Sequence, residues 1–151
     1  MGIEKDIYQQ KFRNDHQRVY INLFYTYGWL MEKIKQILGA SDITPQQFNI
    51  LRILRGSHPT PLSTLQIRER LLDKMSDTSR IVDRLLIKKL VVKKSNRLDK
   101  RLVDISITEQ GLSLLLMLDE RDKEMDSIVN NLSKEEAIQL SILLDKIRAA
   151  K

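Results

Sequence analysis

The sequence predicts a mainly α-helical fold with one small β-hairpin, on the basis of three observations. Aromatic residues make up 5% of the chain and there are only five Gly and three Pro, while 42% of residues are hydrophobic and 30% are charged. This composition favours packed helices over a β-sandwich or barrel. Apolar residues recur at intervals of three and four along most of the chain, and the interval changes to two only between residues 91 and 107. A length of 151 residues predicts a single domain over 1–151.

The first two helices are separated by a clear start signal. Spacing predicts a first helix over about 8–38 that ends near Gly39. In the following "TPQQF", Thr44 is placed as the N-cap, Pro45 as the first helical residue and Gln47 as the partner that completes a capping box. A second helix therefore runs from there to the breaker sequence "GSHPTP".

The next two helices are short and close together. Ser63 and Gln66 have capping-box spacing and predict a third helix of about ten residues. The fourth, over 76–90, is strongly amphipathic. Its apolar side is expected to bury Ile81, Val82, Leu85 and Leu86, and its polar side carries Ser76, Asp77, Ser79, Arg80, Asp83, Arg84 and Lys88.

A hairpin and two helices complete the chain. The β-branched runs "LVVKKS" and "LVDISI" predict two strands joined at 96–101. Thr108 is expected to cap a fifth helix that continues to Leu132, and Ser133 with Glu136 is expected to cap a sixth. The predicted order is ααααββαα.

Several classes of function are excluded by what the sequence lacks. There is no Cys, which removes disulfides, thiolate metal sites and thiol nucleophiles. The five Gly are scattered, and the two His have no metal-binding spacing. We therefore expect no catalytic residues, no metal and no cofactor. The chain has no signal-peptide pattern and no apolar run of about 20 residues, so we expect a cytoplasmic protein without a membrane partner.

The positive charge is concentrated in the middle of the chain. Residues 60–107 contain twelve Lys and Arg against six acids, a surplus that equals the net charge of +6 of the whole chain. The two flanks have net charges of opposite sign that cancel each other. A basic centre between such flanks is typical of a protein that binds a polyanion.

This basic region has the arrangement of a winged helix-turn-helix. A short helix, a tight connection and an amphipathic helix precede a charged hairpin, and an α-helix fits the major groove of B-DNA. The expected contacts to double-stranded DNA are Ser76, Asp77, Thr78, Ser79, Arg80, Arg84, Lys88, Arg97, Lys100 and Arg101. Thr78 could instead pack inward. Asp77 could accept from a cytosine or orient Arg80, and Arg84 and Lys88 could be merely solvated. Arg101 could enter the minor groove or touch only the backbone.

The same residues resemble a known family. The stretches "ITPQQFNILRIL", "SDTSRIVDRLLIKKLV" and "LDKRLVDISITEQG" resemble the MarR family of bacterial transcriptional regulators over about 43–111. The family's Asp-x-Arg wing signature is present at Asp99 and Arg101, and its Thr-Glu-x-Gly signature at Thr108–Gly111. The resemblance implies a winged DNA-binding part over 44–107, dimerisation helices over 1–39 and 108–151, and an ion pair in which Asp99 braces Arg101.

The resemblance also implies a function. It implies a homodimeric, sequence-specific regulator, here a repressor, that binds a palindromic operator and is released by a small aromatic or apolar effector. Tyr20, Tyr27 and Trp29 are candidate residues for the effector pocket, or else belong to the core or the dimer interface. The alternative function is a winged-helix protein-interaction module that binds an acidic partner. Two residues depart from the family: Lys89 where Gly is usual, and Arg68 where a small residue is usual.

Overall fold

The computed structural model describes residues 2–149, which form eight α-helices and one two-stranded antiparallel sheet. The elements are α1 (Ile3–Asp6), α2 (Asp15–Leu38), α3 (Pro45–Ser57), α4 (Thr64–Arg70), α5 (Thr78–Ile87), β1 (Val91–Ser95), β2 (Val103–Ile107), α6 (Glu109–Asp119), α7 (Asp122–Ser127) and α8 (Lys134–Ala149). The predicted fold class, mainly helical with one hairpin in a winged arrangement, is confirmed.

The predicted capping boxes form as expected. In α3 the Thr44 hydroxyl accepts the Gln47 N–H at 3.1 Å, and the Gln47 side chain accepts the Thr44 N–H at 3.2 Å. Ser63 and Gln66 repeat this geometry at the start of α4. Each box satisfies backbone donors that a helix start otherwise leaves unpaired, which explains why the sequence located these starts correctly.

Several predicted helices have different limits. The short helix α1 was not predicted, α4 has seven residues instead of about ten, and α5 spans Thr78–Ile87 instead of 76–90. The first helix was expected from residue 8 but begins at Asp15, because the Asn14 side chain accepts the N–H of Gln17 at 2.8 Å and caps it there. The fifth was expected to run unbroken to Leu132 but divides into α6 and α7. At the break the N–H of Arg121 donates to the carbonyl of Leu118, three residues back. This interrupts the α-helical pattern, in which each N–H donates to the carbonyl four residues back.

The core lies between α3, α5, the sheet and α6. Its fully buried side chains come from all of these elements, and they include Ile50, Leu51, Leu54, Val82, Leu85, Ile105 and Leu115. Leu86 of α5 was expected among them, but it is 39% exposed. The buried stripe of α5 is therefore narrower than its apolar pattern suggested, with Ile81 only partly buried.

The hairpin over 91–107, called here the wing, is fixed in register by the core. Val91 pairs with Ile107 and Ser95 with Val103. Leu62, just before α4, adds a short bridge to Ile105 with hydrogen bonds of 3.0 and 2.9 Å. The wing therefore has a fixed orientation relative to the helix-turn-helix.

Lys89 occupies the left-handed conformation that a Gly would take at lower cost, with φ 59°. Its carbonyl accepts a 2.8 Å hydrogen bond from the Thr108 hydroxyl, which also accepts the N–H of Gly111 at 3.1 Å. The departure from Gly therefore places a residue with a side chain in a conformation that is strained for it.

The terminal helices leave many apolar side chains uncovered. On α8, five large apolar residues are between 43% and 61% exposed: Ile138, Leu140, Ile142, Leu143 and Ile147. On α2, Val19, Tyr20, Phe24 and Tyr27 are also exposed.

None of the helices between residues 2 and 149 is long and apolar enough to cross a bilayer.

Candidate nucleic-acid interface

The segment between α4 and α5, residues 71–77, is called here the α4–α5 turn and sets where α5 begins. Asp73 accepts the N–H of Met75 at 3.0 Å and the hydroxyl of Ser76 at 2.9 Å. Asp77 is the N-cap of α5 and accepts the N–H of Arg80 at 3.1 Å. The turn is therefore bonded to itself and to the first residues of α5.

The exposed face of α5 carries three of the expected DNA contacts. Ser79, Arg80 and Arg84 are exposed, and across residues 2–149 their side chains make no hydrogen bond or ion pair. Arg80 and Arg84 are four residues apart, so they lie on the same side of the helix, one turn from each other. This face presents two free guanidinium groups to an approaching polyanion.

Two residues at the start of α5 are already committed within the protein. The Asp77 carboxylate binds the backbone of Arg80 rather than its guanidinium, so its contact is a helix cap. The hydroxyl of Ser76 donates to Asp73. Asp77 is exposed and Ser76 is partly buried, and the contacts of both side chains stabilise the turn.

Thr78 requires a correction. Its side chain was a candidate for base contact, but the residue is 4% exposed and its hydroxyl has no hydrogen-bond partner among the described residues. The position directly after the N-cap points towards the core here, because the buried Val82 and Leu85 follow four and seven residues later on the same side. Thr78 therefore does not belong to the exposed face.

Lys88 also differs from expectation. It was predicted to contact phosphate or to be solvated, but its ammonium lies 3.5 Å from the Asp42 carboxylate and 3.3 Å from Oε1 of Gln47. It also donates to the Asp42 carbonyl. The side chain turns back towards the start of α3 and ties the end of α5 to it.

The wing tip, residues 96–101, is organised by one amide. Oδ1 of Asn96 accepts the N–H groups of Leu98 and Asp99, both at 2.9 Å, and its Nδ2 donates to Asp104 at 2.9 Å. Arg97, Leu98 and Lys100 project from this turn and are exposed. The cationic side chains of Arg97 and Lys100 are therefore presented by an ordered loop.

Arg101 and Asp99 form the ion pair that the family signature implies. The guanidinium donates from Nε to Oδ1 and from Nη2 to Oδ2, each at 3.0 Å, and the Arg101 N–H also donates to Oδ1. These hydrogen bonds lower the pKa of Asp99 and raise the pKa of Arg101 from their ordinary values. The Arg101 side chain stays 90% exposed, so a braced cation stands at the surface of the wing.

A cavity of about 390 Å³ lies between α2, α3 and the α4–α5 turn. Most of its lining is apolar, and Arg52 stands over the Phe48 ring at 5.6 Å from the ring centre. The lining residues are Tyr27, Leu30, Met31, Ile34, Pro45, Gln46, Phe48, Asn49, Arg52, Leu71, Leu72, Asp73 and Ser76. Of these residues, only Tyr27 was predicted to line an effector pocket, because the cavity joins segments far apart in the chain.

The other two residues predicted for the effector pocket lie elsewhere. Trp29 lines a separate cleft with Lys33, Arg121 and Glu124. Tyr20 packs edge-to-face on Phe24 with ring centres 6.5 Å apart. Neither residue lines the cavity with Tyr27. Trp29 is two residues from Tyr27 and therefore lies on another side of α2, whereas Tyr20 is about two turns nearer the start of α2 on the same side. Within residues 2–149, no three His, Asp or Glu side chains converge as a metal site would require.

Comparison with known proteins agrees with this geometry. The MarR family model matches residues 41–102, from the loop before α3 to the wing tip. The HTH-type transcriptional repressor MdtR of Bacillus subtilis is 30% identical over 126 residues, which are 80% of this chain and 80% of MdtR. These relatives are transcription regulators and not enzymes.

Solved structures extend the similarity to the whole fold. The MarR transcription factor from Planctomyces limnophilus is 30% identical, with a TM-score of 0.68 over 89% of this chain and 98% of that one. MepR of S. aureus, in a structure with DNA, is 27% identical, with a TM-score of 0.77 over 86% of this chain and 96% of that one. Together with the winged helix-turn-helix and the Asp99–Arg101 pair, these similarities show that the chain belongs to the MarR family of DNA-binding transcriptional regulators.

Proposed function

We propose that the protein is a homodimeric repressor that binds a palindromic operator and is released by a small aromatic or apolar effector. The observation that carries the DNA-binding part of this proposal is the set of three guanidinium groups that the fold leaves exposed. Arg80 and Arg84 project from α5, and Arg101 projects from the wing on its Asp99 brace. The proposed interface therefore consists of Ser79, Arg80, Arg84, Arg97, Lys100 and Arg101, with Ser76 and Asp77 at its edge.

In this proposal α5 lies in the major groove and the wing lies along the flanking DNA. An α-helix with its side chains is about 10–12 Å across and the major groove is about 12 Å wide, so only the side chains of the exposed face reach the base edges. Arg80 is nearest the start of α5, where recognition helices contact bases. Arg101 reaches the minor groove, whose negative potential attracts a guanidinium.

Dimerisation is proposed from the uncovered terminal helices. Half-exposed leucines and isoleucines along α8, together with the aromatic side chains of α2, form more apolar surface than isolated soluble domains usually leave in water. A second copy of the chain covers the same patch on both subunits. Two α5 helices related by this symmetry then read two half-sites of a palindrome.

The effector is proposed to bind the 390 Å³ cavity, which is within the size range of small-molecule sites. Its largely apolar lining suits an aromatic or aliphatic body, and it touches both α2 and the α4–α5 turn. A bound effector would therefore contact both α2, a proposed dimer helix, and the turn that leads to α5.

The test is selection of bound DNA from a random pool by the purified protein. We expect an enriched palindrome whose half-sites lie about one helical turn apart, and an affinity that falls by a log-log slope near −0.9 per neutralised phosphate as salt rises. The double variant R80A/R84A is the matched control and should enrich no palindrome. A pool without enrichment, together with a flat response to salt, would contradict the proposal.

A further inference from the structure

We infer that two side chains of α3, Asn49 and Gln47, hold α5 at its two ends, and that filling the cavity releases only the end held by Asn49. The inference rests on the proposed function, since it concerns how the proposed effector controls α5. It assigns positioning roles to two residues outside the proposed DNA interface. Asn49 lines the cavity, and Gln47 does not.

The first hold joins α3 to the α4–α5 turn. Oδ1 of Asn49 accepts the N–H of Leu72 at 3.0 Å, across 23 residues of sequence. Leu71, the first residue of the turn, is buried in the core, whereas Leu72 is exposed. Beyond Leu71 the turn is therefore attached to α3 by this hydrogen bond. Since Asp73 bonds to Met75 and Ser76, the segment held by Asn49 continues directly to the cap of α5.

The second hold lies at the other end of the helix. Lys88, the residue after α5, donates to Oε1 of Gln47 at 3.3 Å and pairs with Asp42 at 3.5 Å. Gln47 is buried and is also the capping-box residue of α3, so it is fixed in place. The hold at the end of α5 is therefore attached to a rigid part of the core.

The cavity is lined by residues of the Asn49–Leu72 contact but not by residues of the Lys88–Gln47 contact. Asn49, Leu72, Asp73 and Ser76 line it, whereas Asp42, Gln47 and Lys88 do not. A ligand that occupies the cavity competes for the Asn49 amide and displaces the turn, while the Lys88 end stays bonded. The expected result is a pivot of α5 about its C-terminal end, which moves Arg80 more than Arg84.

Such a pivot requires that the ligand favour one position of α5 over the other. A ligand shifts an equilibrium only by its difference in affinity for the two states. The exchange of the Asn49–Leu72 bond for contacts with the ligand supplies that difference in this protein. A single hydrogen bond of this kind accounts for about a three- to tenfold change in operator affinity.

The first test uses hydrogen exchange of the full-length protein without DNA. N49A should speed exchange at the Leu72 amide and leave α3 amides unchanged. Q46A is the matched control, because Gln46 lines the same cavity but its side chain makes no hydrogen bond among residues 2–149, and it should leave the Leu72 amide protected. Unchanged exchange in N49A would overturn the inference whether or not the protein binds DNA.

The second test uses operator affinity in a double-mutant design. M31W fills the cavity from α2 and serves as the probe of occupancy, with L30F as a second filling variant if M31W does not fold. N49A and M31W should each weaken operator binding about three- to tenfold, and the double variant should be no weaker than either. K88M loosens the other end, so its loss should add to that of M31W.

These outcomes separate the inference from the proposed function. If the wild-type protein binds no DNA, the proposed function fails while the exchange test still decides on the Asn49 hold. If N49A and M31W lose affinity additively, or if Q46A loses as much as N49A, the cavity does not act through Asn49 and the inference is overturned.

Discussion

Arg101 is held at the surface of the wing by both oxygens of Asp99, through two side-chain hydrogen bonds of 3.0 Å. A cation fixed in this way loses less side-chain entropy on binding DNA than a free one. R101A should therefore weaken operator binding and reduce the salt slope by about one unit, because one cation no longer lies against the DNA. D99N keeps the cation, so it should lose less affinity at an unchanged slope. Fluorescence anisotropy over a salt series measures the affinity and the slope. A wild-type slope in R101A would contradict a contact between Arg101 and the DNA.

The brace should not respond to pH in the neutral range. Hydrogen bonds from Arg101 lower the pKa of Asp99, so the contribution of the pair is fully present above the ordinary Asp pKa of about 4 and is lost only as pH falls through the lower folded value. The ratio of operator affinities of wild type and D99N should therefore be constant between about pH 5 and 8. A ratio that changes within this range would show that another group controls Arg101.

Arg80 and Arg84 should differ in what they recognise. R80A should reduce discrimination between the operator and its single-base variants by about 1–3 kcal/mol if Arg80 contacts a base. R84A, one turn further along, should weaken binding to all sequences alike. Competition binding against a panel of altered operators measures both effects. An equal loss on every sequence for R80A would assign Arg80 to a phosphate.

Gly111 should tolerate no side chain. A Cβ there would lie 2.5 Å from the Leu90 carbonyl oxygen and 2.7 Å from Cγ1 of Ile107, so either the start of α6 or the wing must shift. G111A should lower the free energy of unfolding by about 1–3 kcal/mol, measured by urea denaturation. Gly56 has open space around it, and G56A should be neutral or stabilise α3 by up to about 1 kcal/mol. Equal stability of the two variants would contradict the close approach at Gly111.

The apolar face of α8 should control the oligomeric state. Leu140 and Leu143 are half-exposed and lie on one side of the helix, three residues apart. The double variant L140E/L143E should shift the protein from dimer to monomer in sedimentation equilibrium and remove operator binding, because charges oppose burial of this face. Q139E is the control at a polar position. A dimer that survives in L140E/L143E would place the subunit contact elsewhere.

The helix starts and the wing could be predicted from sequence because their signals are local. Capping boxes at Thr44 and Ser63 depend on residues three apart, and a change of period from 3.6 to 2 marks the strands. Two of the limits were missed for different reasons. The start at Asp15 has a local signal, the Asn14 cap, which the apolar spacing that continues before it obscured. The break between α6 and α7 has no such signal. At the second of these, Arg121 pairs with Glu124 and also donates to the carbonyl of Ile37, which is 84 residues away. No local pattern contains such a contact.

The sequence by itself determined the fold class and the basic centre, because periodicity and composition express local physical chemistry. The Asp99–Arg101 pair was implied by the resemblance to the family. Only the tertiary structure decided which side chains of that region remain free. It buries Thr78, turns Lys88 towards Gln47, and leaves Arg80 and Arg84 exposed. It also forms the cavity, in which Tyr27 meets Asn49 and Leu72 without Tyr20 or Trp29. These outcomes depend on how helices distant in sequence pack together, and packing at that range is set by the whole core.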